Sequence, residues 1–301
     1  MPIFNEQDNI PELHERLKKA SLQISHDYEL IFVNDGSTDD SLNKLKELVK
    51  HDPNAFYINF SRNFGQQIAV AAGLDHCLGE TAVIIDGDLQ DPPELIPDLY
   101  KKHKQGFNVV YAKRSKRKGE SFFKKITAKI YYRVFRWIAS IDIPVDTGDF
   151  RLIDKKVIEN LKKMPEKTKF LRGQSAWLGF KQTHIEYVRE GRKHGKTAYS
   201  LKKMIRFALD GITGFSDKPL KWISTIGIAI FIIALFIIIY ALIFNKDIIS
   251  NASLLVFLVL IGAIQLISIG IIGAYVARIN KNIQNRPLYI IEDTNLEYEN
   301  S

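Results

Sequence analysis

Two hydrophobic rhythms run through the first two hundred residues. Short apolar stretches of strand length recur at Leu30–Val33, Phe56–Phe60, Ala82–Ile85 and in "FNVVYAKR", Phe107–Arg114. Between them, apolar residues return at helical spacing. Leu13, Leu17 and Ala20 predict a helix over Glu12–Leu22, and a further helix is predicted over Gln66–Leu78. The turn cluster Asn34-Asp35-Gly36-Ser37 ends the first run, with Thr38 or Asp39 placed to cap the next helix. Strands alternating with helices predict an α/β fold with a mostly parallel sheet covered on both faces. Ligands of such sheets bind beyond the carboxyl ends of the strands. Asp35, Arg62, Asp86 and Asp88 all fall just past predicted strand ends, so they are expected to converge on one crevice.

Both rhythms stop near residue 216. Trp222–Phe244 and Leu254–Val276 hold no charged residue and no polar stripe, and each exceeds the ~20 apolar residues that cross a hydrocarbon core. Lys218 and Lys221 precede the first run, and Arg278, Lys281 and Arg286 follow the second, while the intervening loop carries only Lys246 and Asp247. The positive-inside rule then predicts a hairpin with both ends cytoplasmic. The expected organisation is a cytoplasmic domain over 1–215, a two-span hairpin over 216–280, and a cytoplasmic tail over 281–301. Asn5, Glu6 and Asp8 near the start do not suit a signal peptide. The single cysteine, Cys77, suits a reducing compartment and a packed small side chain.

Charge changes the picture in one place. The net charge is +8, and Lys and Arg crowd residues 101–136, where Glu120 is the one acidic side chain. Beside a membrane anchor, anionic headgroups or a lipid phosphate fit this patch better than nucleic acid, which is not expected as a partner. The other chemical signal is "IDGDLQDPPE". Asp86 and Asp88, one residue apart beyond a strand, supply oxygens suited to Mg²⁺ or Mn²⁺. Neither a G-x-x-x-x-G-K-[ST] loop nor a G-x-G-x-x-G at the first strand–helix turn is present, which argues against P-loop and dinucleotide chemistry.

Five stretches in order, "PIFNE", "VNDGSTD", "SRNFGQQIAVAAG", "IDGDLQDPPE" and "DTGDFRL", resemble the family 2 glycosyltransferases of the GT-A fold. The resemblance spans about residues 1–215. It is closest to the polyprenyl-phosphate subgroup, the bactoprenol glucosyltransferases and dolichol-phosphate mannose synthases. It implies that Pro2, Asn5 and Glu6 line the nucleotide, that Asp35 hydrogen-bonds the base, and that Asp86 lies near ribose and sugar. It places Asp88 and Gln90 on the metal, and Asp149 beside the reacting centre as base or orienting group. Arg192 and Lys196 would close over the diphosphate from a glycine-bearing loop, where His194 is read as non-catalytic. For an acceptor phosphate, Arg114, Arg117 and Arg133 are the candidates, because a guanidinium forks onto phosphate oxygens. Trp177 is expected to pack rather than stack on sugar. Relatives of this kind resemble one another in a buried strand before the Pro-x-x-Asn-Glu segment; with Met1-Pro2 opening the sequence, that strand is expected to be missing.

The implied function is metal-dependent, inverting transfer of a hexose, glucose from UDP-glucose first among them, to undecaprenyl phosphate at the cytoplasmic membrane face, by a chain that forms homo-oligomers. The alternatives are an impaired nucleotide-sugar or lipid-binding membrane subunit, and a polysaccharide synthase.

Overall fold

The computed structural model describes residues 1–115, 147–188, 214, 216–244 and 251–296. Its elements are β1 (Pro2–Ile3), α1 (Ile10–Leu22), β2 (Leu30–Asn34), α2 (Ser41–His51), β3 (Ala55–Phe60), α3 (Gln66–His76) and β4 (Thr81–Ile84). A 3₁₀ turn at Pro93–Leu95 leads into α4 (Ile96–His103) and β5 (Val109–Arg114). Then come β6 (Thr147–Asp154), α5 (Lys155–Lys163), α6 (Leu171–Trp177) and β7 (Gln182–Tyr187). The long helices α7 (Lys218–Phe244) and α8 (Asn251–Ile283) precede β8 (Ile291–Thr294). All strands and α1–α6 belong to one compact unit, and α7 and α8 to a second.

The α/β class holds, and its sheets are mixed. One has the order β1-β2-β3-β8 and the other β4-β6-β5-β7. β1, β2 and β3 run parallel, as do β5 and β7, whereas β6 runs against both β4 and β5 and β8 runs against β3. The strand β2, "LIFVN", is buried along its whole length because it is covered twice. Leu30 and Phe32 pack with Leu13 and Leu17 of α1 and Leu45 of α2, while Ile31 and Val33 face Ala69 and Ala72 of α3. The alternation is the period of two inherent to a strand. In the second sheet, Val70 and Leu74 of α3 meet Ile153 of β6 and Val157, Ile158 and Leu161 of α5. Asp154 starts α5 by accepting the Val157 N–H.

At the front edge, the opening strand is two residues long. Pro2 and Ile3 pair with Val33 and Asn34 of β2. At the other edge, part of the segment expected as a tail is instead β8, whose Thr294, Asp293 and Ile291 pair with Ile58, Asn59 and Phe60. Asp293 accepts from Tyr57 Oη and pairs with Lys46 at 2.5 Å, and Tyr289 stacks on Phe60 with centroids 5.1 Å apart. A polar rung crosses three strands, Asn34 Nδ2 donating to Asn59 and Asn59 Nδ2 to Glu292. This covers the β3 edge, whose unpaired backbone groups would otherwise invite another chain.

Asp52 closes α2 against α1. Its buried carboxylate accepts from Lys18 at 3.0 Å and from the Asn54 N–H, and lies 2.8 Å from His14 Nε2. Burial pushes the carboxyl up, but Lys18, His14 and the Asn54 N–H together hold it below its ordinary value. A depressed folded-state pKa means stability that is present above the ordinary carboxylate range and lost as the pH falls through the folded value. Asp52→Asn is therefore expected to lower stability at neutral pH by about 1–3 kcal/mol. It should also flatten the loss on acidification, read by thermal unfolding from pH 7 to pH 3; parallel curves for both proteins would refute this.

Candidate active site

The crevice is built from the loops that follow β1, β2, β3 and β4. The first two are sewn together. Asn5, at φ +55°, donates its N–H to Ser37 Oγ and accepts the Thr38 N–H at 2.8 Å. Glu6 N–H donates to Ser41 Oγ, Gln7 N–H to Asp39, and the Asp40 N–H to the Gln7 side chain. Asp39 also accepts the Ser41 N–H, but α2 begins one residue later than the turn residues predict: its N-cap is Asp40, whose side chain makes no capping hydrogen bond, so neither Thr38 nor Asp39 caps the helix.

Asp35 is 2% exposed. Its carboxylate accepts the Phe64 N–H at 2.7 Å, the Gly65 N–H at 2.9 Å and Asn63 Nδ2 at 3.0 Å. Burial pushes its carboxyl up, against the pull of those N–H groups and of Arg62. Asp35 thus anchors the loop after β3. Gly36 lets that loop approach: a Cβ there would stand 2.5 Å from the Arg62 carbonyl carbon and 2.6 Å from the Asn63 nitrogen.

The anchored loop delivers two adjacent glutamines at the start of α3. Gln66 Nε2 donates to Asp86 Oδ1 at 2.7 Å, and Gln67 Nε2 donates to Asp149 Oδ2 at 2.9 Å. Gln67 Oε1 accepts the Leu171 N–H at 3.1 Å. Asp86 and Asp149, one beyond β4 and the other on β6, are therefore held by neighbouring side chains of one helix. Between Asp86 and Asp88, Gly87 lies against β1, where a Cβ would come 2.7 Å from Ile3 Cδ1 and 3.1 Å from the Pro2 carbonyl oxygen. Asp88 is buried and accepts the Gln90 N–H, across a left-handed Leu89 at φ +57°.

Asp149 has a cation beside it as well. Arg172 Nε of α6 lies 3.2 Å from Asp149 Oδ1. Arg151, 4% exposed, donates to the Gly148 and Asp149 carbonyls and to Ser175 Oγ. Burial pulls Arg151 down to about 10 while Asp149 holds it up, so it stays charged at neutral pH.

A family model described as Glycosyl transferase family 2 matches residues 1–162. The chain belongs to that family. It is 49% identical to the uncharacterized glycosyltransferase YkcC of Bacillus subtilis, over 97% of this chain and 92% of the relative. It is 38% identical to the SfII prophage-derived bactoprenol glucosyl transferase of Shigella flexneri, over 97% and 96%. Among solved structures, mannosyl-3-phosphoglycerate synthase from Rubrobacter xylanophilus is similar over 69% of this chain and 68% of its own, at 15% identity and a TM-score of 0.46.

In this glycosyltransferase, the expected crevice residues divide. Asn5, Asp35, Asp86 and Asp149 join one hydrogen-bonded frame, and Glu6, Pro2, Asp88 and Gln90 adjoin it. Arg62 points along its own loop instead, its guanidinium 4.0 Å from the Phe64 ring centroid. Arg114 is half-buried: Nε donates to Tyr187 Oη at 3.4 Å, Tyr187 Oη donates to the buried Asp91, and a Cβ on Gly148, next to Asp149, would stand 2.8 Å from the Arg114 Nη2. Burial pulls the Arg114 guanidinium down, and Tyr187, Asp91 and Asp86 more than restore it. Arg117, Arg133, Arg192, Lys196 and His194 lie outside the described residues. Trp177 departs from expectation. α6 is seven residues long and buries Leu171 and Gly173–Ser175, which leaves Trp177 at its end 63% exposed. The sequence pattern does not single out Gln66, Gln67 and Arg172, which contact Asp86 and Asp149, although both glutamines stand inside "SRNFGQQ".

Proposed function

We propose that this glycosyltransferase moves a hexose, glucose from UDP-glucose being the first candidate, onto a polyprenyl phosphate at the cytoplasmic membrane face, with inversion at the sugar carbon. One observation carries the reading: adjacent residues of α3 hold Asp86 and Asp149, the carboxylates expected on the donor side and beside the reacting centre. The names of relatives such as the bactoprenol glucosyl transferase supply the acceptor class.

An acceptor phosphate oxygen would attack C1 of the sugar, forming the C1–O bond as the bond from C1 to the diphosphate oxygen breaks. The phosphate is already an anion near neutral pH, so it needs little deprotonation. Asp149 then serves to orient and to balance charge with Arg172 more than to take a proton. Asp86, held by Gln66, would meet the ribose and sugar, and the sewn loops at Asn5 and Ser37–Ser41 would wall the nucleotide.

Among the described residues, no three His, Cys, Asp or Glu side chains form a ready metal cage. Asp86 and Asp88 beyond β4 still fit Mg²⁺ or Mn²⁺, with the Gln90 side chain as the further candidate, because such ions take one or two carboxylates and complete their shell from substrate phosphates and water. A bound cation would neutralise the departing diphosphate.

Two spans of 19 and 26 residues, within α7 and α8, are long and apolar enough to cross a membrane. The chain leaves the catalytic unit before α7 and rejoins it at β8. Crossing helices between those points must cross an even number of times, which supports a hairpin with both ends on the catalytic side.

Membranes containing the protein, given labelled UDP- and GDP-sugars with undecaprenyl phosphate and Mg²⁺ or Mn²⁺, are expected to pass label from one donor into organic-extractable lipid. EDTA should abolish it. No label from any donor would sink the reading.

A further inference from the structure

We infer that Gln67 is a positioning residue for sugar transfer: its side-chain amide spans from the first N–H of α6 to the Asp149 carboxylate and fixes where that carboxylate stands. The inference rests on the proposed reading, in which Asp149 flanks the reacting centre.

The orientation of a glutamine amide follows from its partners. The Leu171 N–H can only donate, so Oε1 must face it, at 3.1 Å. Nε2 is thereby turned to Asp149 Oδ2, at 2.9 Å. Neither end can flip without setting donor against donor or oxygen against carboxylate. The base of the side chain is equally constrained, since Gln67 is the second residue of α3 and the preceding Gly65 N–H is bound by Asp35. The bridge therefore transmits the position of the β2–β3 framework to an acidic group on β6. It also brings in α6, whose Arg172 Nε lies 3.2 Å from the other oxygen of the same carboxylate.

Glutamic acid makes the test sharp, because its protonated form has the shape of glutamine and can donate and accept at the same two points. The charged groups facing this position are Asp149 and Arg151 from β6, Arg172 from α6, and Asp86 through the neighbouring Gln66. In Gln67→Glu the new carboxyl faces Asp149, so its neutral form is favoured at low pH. Deprotonation then sets two anions together and removes the donor.

The measurement is kcat and donor KM against pH for lipid-linked transfer by the full chain in membranes. It compares wild type, Gln67→Glu and Gln67→Leu, with thermal unfolding at both ends of the pH range. Gln67→Leu is expected to lose on the order of 10- to 100-fold in kcat at every pH, with donor KM little changed. Gln67→Glu should approach wild-type kcat at the acid end and fall progressively as pH rises, with unfolding temperatures near wild type throughout. If Gln67→Leu fails to fold, the shape of the Gln67→Glu profile decides alone. A wild-type kcat in Gln67→Leu, or a Gln67→Glu profile that is the wild-type curve scaled by a constant, would overturn the inference. No transfer by the wild type overturns the functional reading, and this inference with it.

Discussion

Asp88→Asn is expected to cut transfer by on the order of 10²–10³-fold in kcat while leaving the protein folded. The fold should survive because Asn retains an oxygen at the position that accepts the Gln90 N–H. What the substitution removes is a negative charge at a buried position in the loop after β4, separated from Asp86 by Gly87 alone. In the proposed reaction, negative charge accumulates on the diphosphate as the bond to C1 breaks, and a cation held here would offset it. A neutral amide holds a divalent ion less well, so the variant should also need more Mg²⁺ or Mn²⁺ for half-maximal rate. Titrating rate against metal concentration in membranes separates this from misfolding, which would lower the plateau without moving the midpoint. Unchanged kcat and unchanged metal dependence would remove Asp88 from the mechanism.

Gly36→Ala is expected to damage both stability and activity, by several kcal/mol in the first case. Two costs add. The residue sits at φ +67°, where a Cβ costs ~1–2 kcal/mol. The added methyl would also stand 2.5 Å and 2.6 Å from backbone atoms of Arg62 and Asn63, which have no rotamer to yield. Relief requires the loop after β3 to withdraw from Asp35, giving up the Phe64 and Gly65 hydrogen bonds. That loop leads straight into Gln66 and Gln67, so the carboxylates they hold would move with it. Gly106→Ala is the control: its φ is +93° but nothing lies within 4 Å of the added carbon, so it should show the backbone cost alone. Thermal unfolding of both variants beside the transfer assay checks this. Equal losses in the two would mean the close approach at Gly36 carries no weight.

What the sequence made legible depended on how local the cause was. β2, β3 and β5 were visible because each buries a continuous apolar run, and α1 because Leu13 and Leu17 recur on one face. β8 reads "IEDT", with acidic residues that look solvated; its partners Lys46, Tyr57 and Asn59 lie more than two hundred positions away. β6 likewise escapes the pattern, since the Gly148-Asp149 step and Arg151 interrupt its apolar residues, and Arg151 is buried through its own strand's Gly148 and Asp149 carbonyls together with the distant Ser175. The same division governs the site. Asp86, Asp88 and Asp149 stood out as acidic residues in recognisable company. Gln67 did not, because a glutamine early in a helix normally faces water, and its role depends on Leu171 and Asp149 arriving from elsewhere. Arg114 stands out by its charge and its place after a strand, while its contact with Tyr187, seventy-three positions on, is not legible from its neighbours in the chain.

The place of β8 in the chain sets an order of assembly. During synthesis, β3 is complete more than two hundred residues before the strand that covers its edge, and both long apolar helices are made in between. Pairing Ile58 with Thr294 closes a very long loop, a slow kind of contact. Until α8 has been made, the nascent domain carries an open sheet edge with Phe60 lacking its Tyr289 partner. A finished sheet thus reports finished synthesis of the two long apolar helices: the domain reaches its full form only after both of them exist.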